Sequence, residues 1–73
     1  MSEADGAHDQ LVRLVHDLRT PLTVISGFAD LLERQSATLD DEKRSEYIHR
    51  IAAAAAELRD ILDAERDRRT AGP

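Results

Sequence analysis

His16, Asp17 and Thr20 place an imidazole, a carboxylate and a hydroxyl close together in the run His16-Asp17-Leu18-Arg19-Thr20-Pro21-Leu22. A neutral imidazole is a good nucleophile near neutral pH, because its ordinary pKa is about 6.5. Attack uses the lone pair of one ring nitrogen while the other keeps its proton. A carboxylate that accepts that N–H fixes the tautomer and stabilises the positive charge that develops. Asp17 is the candidate for that task. Pro21 breaks a local rule in the same run, since a proline inside a helix costs roughly 3 kcal/mol through its missing N–H and its clash with the preceding turn. The lost donor would have bonded the carbonyl of Asp17, so the turn carrying His16 is expected to bend or loosen. A rule broken beside a nucleophile points to chemistry at that place.

The elements that hold this run are helical by periodicity. Leu11, Val15, Leu18, Leu22, Ile25, Ala29 and Leu32 recur in steps of four and three. A second seam, Leu14, Leu18, Pro21, Ile25, Phe28 and Leu32, overlaps the first. Two seams also run along the later segment: Ile48, Ile51, Ala55, Leu58 and Leu62, and Tyr47, Ile51, Ala54, Leu58 and Ile61. Two overlapping seams make a broad apolar face, and a broad face packs against two neighbours. The boundaries read as a flexible lead-in over 1–7, a first helix over about 8–35, a loop over 36–40, a second helix over about 41–69 and a tail over 70–73. Asp40 suits an N-cap, and Asp41 and Glu42 suit the positive end of the helix dipole. Arg66, Arg68 and Arg69 suit the negative end, with Gly72 and Pro73 as terminators. The two helices have similar lengths, about 40 Å at ~1.5 Å per residue. A short loop between them makes an all-α antiparallel hairpin. One hairpin leaves half of each broad face in water, so the pattern predicts a homodimer closed as a four-helix bundle.

Size and composition agree. The chain has 73 residues, no cysteine and no tryptophan. Chains this short bury only about 60 % of their unfolded surface, and oligomerisation is one remedy. The net charge of −5 comes without a basic stripe, which argues against nucleic acid as the main partner. The longest apolar run, Ile51 to Ala56, is far short of the roughly 20 residues that span a bilayer. No signal peptide is visible, so the chain reads as cytoplasmic, either by itself or as the cytoplasmic part of a membrane-anchored sensor. His8 and His49 lack the acid and the Arg-Thr-Pro sequence that follow His16, and they read as surface residues. No two histidines stand at i, i+4, so no metal site is expected.

With Val15 and Leu18 in the seam, His16 points outward. Thr20 lies one turn on, and Thr23, Gly27, Asp30 and Arg34 continue the line. That stripe is polar or small throughout and would let a partner protein reach the imidazole.

The run His16 to Leu22 resembles the H-box of the dimerisation and histidine-phosphotransfer (DHp, HisKA-type) domain of two-component sensor histidine kinases. The resemblance extends through Thr23-Val24-Ile25-Ser26-Gly27-Phe28-Ala29-Asp30-Leu31-Leu32 and, more loosely, through the second helix to Leu62. It implies that His16 is the phosphoacceptor, taking the γ-phosphoryl group of ATP on Nε2, and that Asp17 is the general base. It also implies that Thr20 orients water when the domain dephosphorylates its response regulator. Arg19 then serves phosphate electrostatics and Pro21 the helix bend. Thr23, Gly27, Asp30 and Arg34 would form the docking stripe. The implied partners are a second copy, an ATP-binding catalytic domain and the receiver domain of a response regulator, whose aspartate takes the phosphoryl group. ATP and Mg²⁺ would come through the catalytic domain, because Gly6, Gly27 and Gly72 cannot build a phosphate-binding loop. The chain by itself is therefore not expected to autophosphorylate. Two other classes compete with this reading: a stand-alone histidine phosphotransfer relay, and a structural dimerisation bundle without phosphotransfer.

Overall fold

The computed structural model describes residues 3–71, and two helices account for nearly all of them: α1, Glu3–Gln35, and α2, Asp41–Ala71. Met1, Ser2, Gly72 and Pro73 lie outside the described residues, and with them the ends of the expected lead-in and tail. The rest of the lead-in is helical, because α1 begins at Glu3 and not near His8. The expected boundary followed the apolar periodicity, which starts at Leu11. A nucleated helix propagates past its apolar residues, since each further residue adds one hydrogen bond at little cost.

The helices pack as an antiparallel hairpin of 55 × 20 × 11 Å. The smallest dimension is that of a single helix, so the hairpin is one layer and encloses very little. Ala54 is 5 % exposed, and the Pro21 ring is fully buried. The pairing selects one seam from each helix. Leu14, Leu18, Ile25, Phe28 and Leu32 of α1 are half-buried, as are Tyr47, Ile51, Leu58 and Ile61 of α2, and Pro21 and Ala54 complete the two rows. The unshared members of the other seams stay in water: Leu11, Val15, Leu22, Ile48 and Leu62 are 47–53 % exposed, and Ala29 and Ala55 are exposed as well.

Register is pinned near the loop by Phe28 and Tyr47, whose ring centroids are 5.2 Å apart at an interplanar angle of 45°. Such pairs add about 0.5–1.5 kcal/mol beyond area burial. Pro21 does not interrupt α1, and no peptide bond is cis among the described residues. Burying the ring in the seam offsets part of the cost of the lost N–H.

The loop closes tightly. The carbonyl of Gln35 accepts the N–H groups of Thr38 and Leu39, each at 2.9 Å, and the Thr38 hydroxyl at 3.1 Å. Arg44 reaches back from α2, donating to the carbonyls of Ser36 at 2.9 Å and Leu39 at 3.2 Å and to Asp41 Oδ1 at 3.0 Å. Asp40 caps α2, its Oδ1 accepting the N–H of Lys43 at 2.8 Å. At the far end of α2, Glu65 accepts from Arg69 at 2.8 Å and from Arg68. The Arg69 hydrogen bond, with the charge of Arg68 beside it, lowers the Glu65 pKa. Among the described residues no helix is long and apolar enough to cross a membrane.

The cap gives a direct test of the α2 boundary. Asp40→Ala leaves one N-terminal N–H of α2 unpaired and is expected to lower stability by about 1 kcal/mol. Thermal melts followed by helix circular dichroism check this, with Asp40→Asn expected to retain most of the wild-type stability.

Candidate functional site

The seam that α1 buries against α2 fixes which side chains α1 turns outward. Val15 and Leu18 belong to the two apolar seams, so His16 between them in sequence faces solvent and is exposed. It borders a shallow recess of about 320 Å³ with Leu11, Val12, Val15 and Arg19. The floor is apolar, and the rim carries one imidazole and one guanidinium.

Asp17 is also exposed but faces elsewhere. It borders a groove of about 190 Å³ between the helices, with Arg13 and Leu14 on its own helix and Ile61, Ala64 and Arg68 on α2. No hydrogen bond joins Asp17 to His16. The reason is geometric: at 3.6 residues per turn, consecutive side chains point about 100° apart. The adjacency that suggested the pair therefore does not itself bring the carboxylate to the ring.

Thr20 lies one turn beyond His16 and is exposed. Among the described residues its hydroxyl donates to no backbone carbonyl, as a merely structural helix threonine commonly does, and so it stays free for another partner. Thr23, Gly27, Asp30 and Arg34 continue along α1, and all four are exposed. Asp30 and Arg34 pair with each other, Nε to Oδ1 at 3.0 Å. An exposed pair of this kind is worth about 0.3–0.5 kcal/mol, little enough for a partner to break. A broad shallow depression runs beside this stripe, lined by Arg19, Leu22, Thr23, Ser26, Gly27 and Asp30.

A Cβ built on Gly27 would meet nothing within 4 Å. The hairpin's own packing does not require a glycine there, although glycine weakens a helix by roughly 0.5–1 kcal/mol relative to alanine. Beside it, Val24, Phe28 and Leu31 form a small apolar notch.

Three features of this surface went unread in the sequence. Ser26 borders the depression, Val24 and Leu31 are apolar but belong to neither seam, and Arg13 shares the groove of Asp17. Helical spacing alone held the signal for Arg13, which stands three residues before His16 and four before Asp17. Among the described residues no cluster of His, Asp and Glu is placed to hold a metal ion.

The family model of the His Kinase A (phospho-acceptor) domain matches residues 8–69, both helices and the loop between them. The chain belongs to this family. No curated protein and no solved structure matches it. The histidine kinases to which such phospho-acceptor domains belong are transferases, and the run that resembles their H-box lies within α1, with His16 on the open face of the hairpin.

Because nothing occupies the space over Gly27, Gly27→Ala is expected to stabilise the isolated phospho-acceptor domain by about 0.5–1 kcal/mol. If Gly27 exists for the close approach of a partner protein, the same variant transfers phosphoryl groups to its receiver more slowly. Melting the variant and timing its transfer separate the two effects.

Proposed function

We propose that His16 accepts the γ-phosphoryl group of ATP from a catalytic domain on another part of the kinase or on a partner chain, and then passes it to the aspartate of a response-regulator receiver domain. The observation that carries this reading is the exposure of His16 on a face free of both apolar seams, within a chain of the phospho-acceptor family. The lone pair of Nε2 attacks the γ-phosphorus, the bond to the bridging oxygen breaks, and ADP leaves with that oxygen. Asp17 serves as general base by turning toward the ring, accepting the N–H of Nδ1 and stabilising the charge on the imidazole. Arg19, on the rim of the His16 recess, offsets phosphoryl charge. Thr20, with its hydroxyl free, orients water in the reverse hydrolysis of the regulator's acyl phosphate. Thr23, Gly27, Asp30 and Arg34 guide the receiver onto α1.

The working unit is a homodimer. Leu11, Val15, Leu22, Ala29, Ile48, Ala55 and Leu62 form one apolar strip along a single side of the hairpin, and a second copy covers it as a four-helix bundle. His16 lies outside this strip and stays accessible in the dimer. ATP and Mg²⁺ bind the catalytic domain, not this hairpin, and two-component signalling in the cytoplasm is the setting that fits.

Labelling with radioactive ATP and a catalytic domain of the same family tests the phosphoacceptor. Acid-labile, base-stable label is expected on the wild-type chain and none on His16→Gln. Persistence of the label in His16→Gln, or its absence from the wild type across several catalytic domains, would move the chain to the relay or structural class. Sedimentation tests the dimer. A mass of twice the 8.1 kDa chain is expected, and the double variant Leu22→Glu/Ile48→Glu should sediment as a monomer with reduced helix content.

A further inference from the structure

The ten Lys and Arg residues of the chain divide sharply by partner. Arg34, Lys43, Arg44, Arg50, Arg66, Arg68 and Arg69 each stand within 4.0 Å of a carboxylate. Arg13, Arg19 and Arg59 have no such partner among the described residues, in a chain whose acids outnumber its bases, 15 to 10. Two of these three bracket His16. Arg19 follows it by three residues and shares its recess, and Arg13 precedes it by three residues and shares the groove of Asp17. On a helix, side chains three apart are neighbours, with Cβ atoms about 5–6 Å from each other. Arg19 borders the recess of His16 from the C-terminal turn, while Arg13 lines the adjoining inter-helix groove in the N-terminal turn and has only to swing its long side chain across one helix flank to meet a group on the imidazole. Both side chains are exposed and free to move there.

A phosphorylated imidazole creates a need for such cations. The group it carries has about two negative charges near neutral pH, as other phosphorylated side chains do. The Asp17 carboxylate is the next residue. An isolated helix face with that arrangement repels its own product. Arg19 belongs to the H-box run, but Arg13 lies outside it.

We propose that Arg13 is a phosphoryl-binding residue, and that its guanidinium and that of Arg19 bracket His16 and hold the anionic group on the imidazole between them. This rests on the phosphoacceptor reading of His16. Arg13 binds the group as a charge-assisted donor, from the side on which Asp17 would otherwise repel it. Asp17 on α1 and Arg68 on α2 share the groove of Arg13, Arg19 borders the recess of His16, and all three remain in place when Arg13 is changed.

The test needs no catalytic domain. Phosphoramidate modifies exposed histidines chemically: the ring nitrogen attacks phosphorus, the P–N bond of the reagent breaks, and ammonia leaves. The full 73-residue chain carrying His8→Gln and His49→Gln then bears the group on His16 alone. Its ³¹P signal is followed against pH with Arg13 intact, Arg13→Lys and Arg13→Ala. A nearby cation disfavours the protonated form, so Arg13→Ala is expected to raise the titration midpoint by about 0.2–0.7 pH unit. Arg13→Lys should keep most of the effect, and about 1 M salt should erase the difference. The Arg13 Nε–H resonance should also move when His16 is phosphorylated. Arg50→Ala, with Arg50 paired to Glu46 on α2, should change neither readout. A midpoint in Arg13→Ala equal to that of the parent at low salt, or an Arg13 resonance indifferent to phosphorylation, would overturn the assignment. Because phosphoramidate acts without a kinase, failure of ATP labelling would count against the proposed function and leave this result standing.

Discussion

The packing of one apolar seam of α1 against one seam of α2 is the constraint on which the other features depend. It sets the rotation of α1 about its own axis. Leu14, Leu18, Pro21, Ile25, Phe28 and Leu32 turn inward, and every other residue of the helix takes its direction from that choice. His16 is outward because Leu18 and Pro21 are inward. The Phe28–Tyr47 ring pair and the Arg44 hydrogen bonds at the loop stop the helices from sliding past each other. Choosing a seam one residue away would rotate the facing side chains by about 100° and take the imidazole off the open face it now occupies.

A single layer of two helices cannot satisfy all of its apolar surface. The second seam remains in water as a continuous strip of Leu, Ile, Val and Ala. Such a strip is a cost in a monomer and a driving force for association, since apolar burial contributes about 25 cal/mol per Å². The fold thereby separates the sides of α1: one side joins the hairpin, the adjacent side leaves its apolar residues in water, and the remainder carries the imidazole and the small polar stripe. Transfer chemistry needs an exposed nucleophile and stability needs buried leucines, and rotation about one helix axis separates the two demands.

The electrostatics obey the same division. Basic side chains remote from His16 are mostly tied to acids three or four residues away on their own helix. Those beside His16 are not, and the adjacent carboxylate is turned to the inter-helix groove. The imidazole stands apart from the Asp17 carboxylate, and the role proposed for Asp17 calls for a movement within one helical turn. Pro21 sits one turn further on, where the helix lacks the N–H that would have bonded the Asp17 carbonyl. The turn that carries His16 and Asp17 is thus one hydrogen bond short.

Much of this was legible in the sequence. Periodicity by itself revealed two helices, two seams on each, and a turn whose Asp40 caps the second helix, because these are local properties of spacing and side-chain type. The run from His16 to Leu22 resembled the H-box of the phospho-acceptor family, and the family model over residues 8–69 agrees with that resemblance. Local pattern misplaced the start of α1, since a helix propagates beyond its last apolar contact. It also joined His16 to Asp17 by adjacency, which a helix turns into a separation of about 100°. Only the tertiary structure decided which seam is buried within the hairpin and which is left in water, because both are equally apolar in sequence and only packing against α2 distinguishes them. It likewise decided that Arg13 and Arg19, on either side of His16, have no carboxylate partner among the described residues, because the partner of a charge depends on where the helix faces and not on composition.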